Sequence, residues 1–486
     1  MPQLHDSRSR HSMSTQPSAT AGGCDRIFGL ETEYGLSVGG TDRTLDISQV
    51  AMTMFQPVVQ RARSTNTYLD NGSRLYLDVG SHPEYATAEA RTPFDAMLAD
   101  AAGESIMRTM ALETQARLRA QAGERATIHL FKNNADSAGH SYGCHENYLV
   151  RRYVDLRAIQ TQLLPFLITR QIYTGAGRFD GDHWTYTQRA RFVDETVSSA
   201  TTRSRPMINT RDEPHADPES FRRLHVIIGD SNRSQWATMV KCATTHLVLG
   251  SMEHAARTGV PSGLECLEMS DPVQANLEVN EHGPDAMIDL ADGTRMSALE
   301  MQRLAWRVIE RFAHSHAHEL DASLQGDPVW TPHSVLDAWR WVLDRLEAHD
   351  IDALAQVVDW ACKRRFFARL EERGPVGPMR IAQLDLDYHD VANGTLYEAM
   401  VRHGLMRVYA DPQQVAHAVH TPPERTRAVL RGRFVQRAQQ AGVRHVCDWT
   451  QVQVQVLEPE KRTVQLLDPF DSEGTPEYHD LMASLE

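Results

Sequence analysis

The stretch RIFGLETEYGLSV, from Arg26 to Val38, decides how the rest of the chain is interpreted. In an extended strand it places Glu31 and Glu33 together on one face and Leu30 on the opposite face. Two carboxylates on one face of an apolar strand are costly to bury unless a cation or a ligand compensates them. The alternative is a sheet that exposes this face to water, as antiparallel sheets commonly do. The strand alone leaves both interpretations open.

Further strand-like segments follow and are separated by helical ones. They are Ser73 to Val79, Ala126 to Lys132, Gly143 to Val150 and Arg223 to Gly229. A long helical pattern runs from Pro93 to Ala120. Strands scattered among helices, with few compact strand–helix–strand units, predict an α+β fold with a mainly antiparallel sheet.

The second half of the chain is dominated by helical patterns. Apolar residues recur at helical spacing in Met301 to Phe312, Val335 to Leu346 and Ile351 to Leu370, which predicts core helices. Near Ala410 the pattern restarts with a basic helix and two short strands. These are Pro422 to Ala441, Val452 to Val456 and Arg462 to Leu467. We therefore expect a flexible tail over residues 1–25, a large domain over 26–408 and a small C-terminal domain over 409–486.

Composition excludes several classes of protein. The chain has 486 residues with 50 Lys and Arg against 64 Asp and Glu, and this net charge of −14 argues against a general nucleic-acid binder. No apolar run approaches the roughly 18 residues of a membrane span. The N-terminal 25 residues lack the apolar segment of a secretory signal. Six scattered cysteines without a CxxC pair are typical of a reducing cytoplasm, where we expect the protein to act.

The segment RLYLDV, which begins at Arg74, carries the second set of candidate residues. Arg74, Tyr76 and Asp78 share one face, and these side chains suit a phosphate, a metal ion and a proton, respectively. An ordinary amphipathic strand with cross-strand ion pairs explains the same pattern. In the later segment GCHENY, His145 and Asn147 also share a face, and carboxylates with an occasional imidazole suit Mg²⁺ or Mn²⁺ better than Zn²⁺. A hydrogen-bonded structural histidine is the alternative, and the segment alone favours it.

Two groups of arginines indicate binding of an anionic or acidic partner, although an ordinary solvated surface remains the alternative for each. The first group consists of Arg203, Arg205, Arg211, Arg222 and Arg223. The second lies on the basic helix and consists of Arg425, Arg427, Arg431, Arg433 and Arg437. The histidines at 314, 316 and 318 lie at the polar end of an amphipathic helix, which argues against a metal site there. The chain contains no Walker A sequence, so a nucleotide would bind by another route.

Seven motifs together resemble the Pup ligase family of the bacterial proteasome system, in which Pup is the prokaryotic ubiquitin-like protein. They are Gly29–Gly35, Arg74–Thr87, Ser141–Tyr148, Ser199–Pro206, Asn209–His215, His225–Asn232 and Ile381–Asp390. The resemblance extends from about Arg26 to Pro469, which is nearly the whole chain.

The resemblance implies a glutamine-synthetase-like carboxylate–amine ligase fold, with a curved antiparallel sheet backed by helices and a small C-terminal domain. It implies that ATP phosphorylates the γ-carboxyl of the C-terminal glutamate of Pup and that a lysine of a target protein then attacks to form an isopeptide bond. Pup and lysine-bearing target proteins are the implied partners, without nucleic acid or membrane, and the implied outcome is proteasomal degradation of the target.

When the motifs are matched residue by residue, the resemblance also implies which residues bind the metal, which contact ATP and which one is the catalytic base. Mg²⁺ is expected at Glu31, Tyr76 and Glu84. ATP contacts are expected from Arg74, Thr87 and Trp449, the last of these in the C-terminal domain. Asp78 is the expected catalytic base.

The alternatives are a Pup deamidase or depupylase of the same superfamily, a small-molecule ligase that joins glutamate to an amine, and a non-catalytic binding module. The stretch between Gly35 and Asn71 has only 35 residues, without the longer insertion of the deamidase, and the sequence from Leu77 to Pro83 also favours the ligase. His140 departs from the family, which usually has Asn there.

Overall fold

The computed structural model describes residues 23–42, 44–78, 80–136, 139–179, 183–199, 205–455 and 462–485. Several predicted features lie outside the described residues. They are residues 1–22 of the predicted N-terminal tail, Val79 and Arg203.

The described residues form seventeen β-strands. In chain order these are β1 (Phe28–Glu33), β2 (Gly35–Gly39), β3 (Asn66–Tyr68), β4 (Arg74–Leu77), β5 (Pro83–Ala86), β6 (Thr127–Phe131), β7 (Cys144–Arg151), β8 (Arg178–Phe179), β9 (Trp184–Thr185), β10 (Glu195–Ser198), β11 (Pro206–Asn209), β12 (Phe221–Val226), β13 (Met287–Asp289), β14 (Arg295–Ser297), β15 (His445–Cys447), β16 (Gln451–Val454) and β17 (Arg462–Gln465).

The same residues form seventeen α-helices, with a π-helical turn between α3 and α4. The helices are α1 (Ile47–Ala62), α2 (Pro93–Ala122), α3 (Leu156–Ala158), α4 (Leu164–Thr169), α5 (Gln171–Thr174), α6 (Gln235–Thr258), α7 (Pro272–His282), α8 (Ala298–Ser315), α9 (Ala317–Ser323), α10 (Pro332–Glu347), α11 (Ile351–Leu354), α12 (Asp359–Glu372), α13 (Pro378–His389), α14 (Leu396–Arg402), α15 (Pro412–Ala418), α16 (Ala428–Gln440) and α17 (Pro476–Ala483).

Eight strands form one central sheet in the order β10-β11-β12-β7-β1-β5-β4-β3. Only the β10–β11 pair is parallel among the described strands of this sheet, and the other neighbours are antiparallel. The predicted α+β architecture with a mainly antiparallel sheet is therefore confirmed. Strand β1 lies between β7 and β5, so both of its edges are paired and it is an internal strand of the sheet.

One face of this sheet packs against long helices. Leu30, Tyr148 and Leu224 point to this face and join a buried core with Phe94 of α2 and Val240 of α6. Helix α6 is buried on nearly every side as far as Glu253, as expected of a helix in the centre of a large core. Because strand side chains alternate, the opposite face carries the polar residues and is left for the site.

The predicted strand from Arg26 to Val38 is divided in the structure at Tyr34. Beyond this residue the chain leaves the central sheet, and β2 pairs with β6 instead. Tyr142 packs so closely on Gly35 that an added Cβ would lie 2.2 Å from its phenolic oxygen. This close approach, which a pattern of alternating side chains does not reveal, fixes the point where the strand changes sheets.

Two helices also differ from the predicted bounds. The segment Ile351 to Leu370 is divided between α11 and α12. The basic helix begins at Ala428 rather than Pro422, because two successive prolines lack backbone donors and Arg425 adopts a left-handed conformation with φ of 63°.

The C-terminal strands β15 to β17 form a sheet of their own that packs against α16 and α17. Its core contains Phe434, Val452 and Tyr478, and Tyr68 of β3 joins this cluster from the central sheet. The domain boundary near residue 409 stays a prediction.

No helix among the described residues combines the length and the apolar character that a bilayer crossing requires.

A buried ion pair fixes the start of β1 against α6. Arg26 donates to the two carboxylate oxygens of Glu253 at 2.8 and 2.7 Å and to the carbonyl of Leu149 at 2.8 Å. Glu253 also accepts from the backbone amide of Arg151 at 2.9 Å.

We expect Glu253→Gln to lower the free energy of unfolding by about 3 to 5 kcal/mol, because it leaves a guanidinium buried without its counter-ion. Urea denaturation followed by circular dichroism measures the change. Asp289→Asn is the control, since its ion pair with Arg295 at 2.8 Å is exposed and should contribute less than about 1 kcal/mol. Equal losses in the two variants would contradict the prediction.

Candidate active site

The polar face of the central sheet forms the floor of a cavity of about 580 Å³. Residues of the C-terminal strands and the segment that contains Asn209 and His215 form its walls. Its acidic lining residues are Glu31, Glu33, Asp78, Glu84, Glu213 and Asp448. Its basic lining residues are Arg74, His145, Arg211, His215, Arg223 and His225. The cavity therefore combines carboxylates and cations on rigid strands.

Strand register explains why these side chains meet. Glu33 on β1 lies opposite Glu84 on β5, and Glu84 lies opposite Tyr76 on β4. On the other side of β1, Glu31 lies opposite His145 on β7. Residues directly opposite on antiparallel strands have neighbouring Cβ atoms, so the register alone gathers three carboxylates. The sequence left open whether the face with Glu31 and Glu33 is simply exposed to water. In the structure this face lines a cavity.

Glu31 is held by three donors. Asn147 donates to it at 3.0 Å, the His145 imidazole lies 3.3 Å away and Arg223 donates at 3.5 Å. Burial acts to raise the pKa of Glu31, but His225, His145 and Arg223 outweigh burial, and the net pKa lies below its ordinary value. Burial also lowers the pKa of His225 to about 3. At neutral pH Glu31 is therefore ionised beside a neutral imidazole.

Glu84 has the opposite electrostatic character. Burial raises its pKa well above the ordinary value, and the neighbouring carboxylates Glu31 and Glu33 add to the effect. The Tyr76 hydroxyl donates a short hydrogen bond to Glu84, and burial raises the pKa of this phenol as well. Like charges on adjacent strands repel, so the cluster favours either a proton on Glu84 or a bound cation.

The described residues offer two sets of three potential metal ligands whose donor atoms lie within 4.8 Å of one another. One set is Glu31, His145 and His225, and the other is Glu33, Glu84 and His145. The second set, with two carboxylates and one imidazole, fits Mg²⁺ or Mn²⁺, whereas the first set has two imidazoles and only one carboxylate. Of the three residues predicted to bind Mg²⁺, Glu31 belongs to the first set and Glu84 to the second, whereas Tyr76 belongs to neither set and donates to Glu84.

A smaller cavity of about 80 Å³ adjoins the first and is more apolar. Thr87 and Trp449 line it, and Trp449 lines the larger cavity too. The Thr87 hydroxyl accepts from the backbone amide of Leu30 at 3.0 Å. Arg74 borders the larger cavity, where its guanidinium lies 4.4 Å from the ring centre of Tyr76. The three residues predicted to contact ATP therefore surround two connected cavities.

Asp78 lies directly after β4, in the turn that leads to β5. Its backbone amide donates to the carbonyl of His82 at 2.9 Å, and its carbonyl accepts from Ser81 at 3.0 Å. Gly80 and Ser81 both have positive φ, which permits the tight turn. The carboxyl group of Asp78 thereby lines the larger cavity near the metal-ligand cluster.

Several residues at the site were not singled out from the sequence. His225 lies two positions after Arg223 on β12, so the strand period was a usable signal. Arg189 gave no signal: its side chain is buried behind the cluster, and its Nε and Nη1 have no partner among the described residues. Burial lowers the pKa of this guanidinium, and nearby Glu33 partly offsets the effect.

The two arginine groups are placed differently. Arg211 and Arg223 line the larger cavity. Of the second group, Arg427 and Arg431 are 2% and 0% exposed, so they are not available to a docking protein, whereas Arg425 and Arg433 are exposed. The histidines at 314, 316 and 318 belong to neither metal-ligand set of the described residues, and His316 stacks on Phe312.

Comparison with known proteins gives one family. The family described as Pup-ligase protein matches residues 26–453. A protein named Pup–protein ligase from Bifidobacterium animalis subsp. lactis (strain AD011) is 60% identical, with 100% of this chain and 98% of the relative covered. A Pup–protein ligase from Bifidobacterium longum subsp. infantis is 56% identical, with both chains fully covered.

Two solved structures of Pup ligases are similar to this chain in fold. The ligase PafA in complex with Pup superimposes with a TM-score of 0.84 at 36% identity, over 95% of this chain and 92% of that one. PafA in complex with ADP superimposes with a TM-score of 0.76 at 36% identity, over 92% and 95% of the two chains. By its sequence over its whole length and by its fold, the chain belongs to the Pup-ligase family.

Proposed function

We propose that the protein is an ATP-dependent Pup–protein ligase. It would join the γ-carboxyl of the C-terminal glutamate of Pup to lysine side chains of target proteins and so mark them for proteasomal degradation. The observation that carries the proposal is the clustering of Glu31, Glu84, Arg74 and Asp78 in one cavity that connects with a smaller one beside Trp449. The relatives named above are ligases, one solved with Pup and one with ADP, which does not favour the deamidase alternative.

The chemistry has two steps. A carboxylate is a poor acyl donor, so the terminal phosphoryl of ATP first passes to the γ-carboxylate of Pup, giving an acyl phosphate and ADP. The lysine nitrogen then attacks the acyl carbon, phosphate leaves with the bonding electrons, and an isopeptide bond forms. Arg74 would stabilise the negative charge of the transferring phosphoryl, and Thr87 and Trp449 would hold the rest of the nucleotide.

We assign Mg²⁺ binding to Glu31, Tyr76 and Glu84. The raised pKa of Glu84 and the crowding of carboxylates fit a site built for a divalent cation, since a cation replaces the proton and removes the repulsion. Bound Mg²⁺ supplies charge neutralisation for the phosphate oxygens.

Asp78 is the proposed base. With a pKa of about 10.4, only roughly one lysine in a few thousand is neutral at pH 7, so the attacking nitrogen must lose a proton. Asp78 lies in the turn at the edge of the cavity and can take this proton as the bond to carbon forms.

We place the reaction in the cytoplasm. All six cysteines are free thiols, and Cys144, Cys242 and Cys362 are buried without a disulfide partner. This usage fits a reducing compartment.

Purified protein incubated with ATP, Mg²⁺, Pup ending in glutamate and a lysine-rich acceptor tests the function. Intact mass should show an adduct of the acceptor with Pup less one water, and one ADP should appear per adduct. Release of Pup from a preformed conjugate without an adduct would identify a depupylase. The absence of both reactions would refute the proposal and favour a small-molecule ligase.

We expect Asp78→Asn to lower kcat about 10² to 10⁴-fold, because the amide cannot accept the lysine proton. Initial rates of adduct formation at saturating ATP and Pup measure the effect. Asp289→Asn serves as the exposed control and should retain the wild-type rate. A rate for Asp78→Asn within twofold of wild type would remove this residue from the mechanism.

Gly143→Ala tests whether His145, which belongs to both sets of potential metal ligands, also takes part in metal binding. An added Cβ would lie 2.3 Å from Nε2 of His145 and 2.7 Å from Nη1 of Arg189, so both side chains must shift from their present positions. We expect the affinity for Mn²⁺, measured by calorimetry, to fall roughly 10 to 100-fold. Gly377→Ala is the control, since its added Cβ would meet no atom within 4 Å. Equal affinities in the two variants would argue against metal binding at His145.

The burial of Arg427 and Arg431 favours the cavity arginines as the site that binds acidic Pup. We expect Arg211→Glu to weaken Pup binding roughly tenfold, about 1.4 kcal/mol, and Arg433→Glu to change it by less than about twofold. Fluorescence anisotropy of labelled Pup measures both affinities without catalysis. The reverse order of effects would move the docking site to helix α16.

A further inference from the structure

Glu89 is a buried carboxylate that joins the central sheet to the C-terminal helix α16. It lies three residues after β5 and two after Thr87. Arg427 donates to it from Nε at 2.7 Å and Arg431 from Nη1 at 3.2 Å, and Nη2 of Arg431 makes a second, shorter bond. Glu89, Arg427 and Arg431 are 7%, 2% and 0% exposed, so water does not compete for these bonds.

Arg431 in turn determines where Trp449 lies. Its guanidinium carbon is 4.9 Å from the ring centre of Trp449 and 5.5 Å from that of Tyr68. Its Nη1 donates to the carbonyl of Trp449 at 3.1 Å, and Nη2 donates to the carbonyl of Gly72 at 2.8 Å. The tryptophan is therefore held through both its ring and its backbone by one buried side chain.

Tyr68 of the central sheet also contacts Trp449 and its neighbour directly. Tyr68 of β3 packs edge-on against Trp449, with ring centres 5.1 Å apart, and its hydroxyl donates to Asp448 at 3.2 Å. Burial would raise the pKa of Glu89, but Arg431 and Arg427 lower it to about 2, so the carboxylate stays ionised at neutral pH. A neutral side chain at this position would leave two buried guanidinium groups without a counter-ion.

We infer that Glu89 is a positioning residue for nucleotide binding, which acts through Arg431 to hold Trp449 at the wall of the smaller cavity. The inference rests on the proposed role of Trp449 as an ATP contact. Glu89 also lines that cavity, but its carboxylate oxygens are occupied by the two arginines, so it acts on the nucleotide through Trp449.

The inference predicts a specific kinetic signature for Glu89→Gln. The KM for ATP should rise roughly tenfold, while kcat at saturating ATP stays within about twofold, because Asp78 and the metal-ligand cluster are untouched. The affinity for ADP with Mg²⁺, measured by calorimetry on the full chain, should fall by the same factor. Arg431→Lys should act similarly, since lysine keeps the charge but lacks the planar fork that bonds Glu89, Gly72 and Trp449 at the same time.

Asp385→Asn is the matched control. It breaks another buried ion pair, in which Lys363 lies 2.7 Å from Asp385, among helices of the large domain. We expect it to lower the melting temperature without changing the KM for ATP. A KM shift of equal size in this control would show that Glu89 acts only through general stability and would overturn the inference.

Trp449→Ala separates the failure of the inference from the failure of the proposed function. If Trp449→Ala leaves ADP affinity unchanged, the assignment of Trp449 as a nucleotide contact is wrong and the inference falls with it. If Trp449→Ala weakens ADP binding but Glu89→Gln does not, only the inference is wrong. Combining the two substitutions should weaken ADP binding no further than Trp449→Ala alone, and fully additive losses would contradict a common route.

Discussion

The repulsion among Glu31, Glu33 and Glu84 is the constraint on which the rest of the site depends. The register of adjacent strands brings these carboxylates together, so the fold cannot relieve the repulsion by turning a side chain to the opposite face. Compensation must come from the surroundings. Asn147 and Arg223 donate to Glu31, and Tyr76 donates to Glu84. What remains is an acidic cluster whose most favourable partner is a cation, which is also what phosphoryl transfer requires.

The two faces of the sheet divide stability from chemistry. The face against α2 and α6 carries the apolar core and the buried Arg170–Glu146 pair, and it holds the strands rigid. This rigidity matters because catalytic groups must be held to within a fraction of an ångström. Arg189 lies near the carboxylate cluster, and two of its nitrogens are buried without a partner among the described residues. Burying these donors without hydrogen bonds lowers the stability of the fold.

Sequence predicts what is local in this fold. The period of a strand placed Glu31 with Glu33 and Arg74 with Tyr76, and both pairs lie on the polar face. It does not tell which strands become neighbours, so His225 beside Glu31 was missed although it shares a face with Arg223. The basic helix shows the same limit. Arg431 looks like a surface charge, and its buried partner Glu89 lies 342 residues earlier, where no periodicity can connect them.

The site spans two parts of the chain, and this arrangement has a physical consequence. The strands of the central sheet supply Glu31, Glu33 and Glu84, whereas Asp448 and Trp449 lie in the turn between β15 and β16. Such a site is only as well ordered as the contact between the two parts. Surface ion pairs would be too weak and too mobile for this purpose. A buried carboxylate shared by two arginines is different, because any separation would leave largely buried charges without partners. The contact therefore opposes partial separation of the two parts at the smaller cavity.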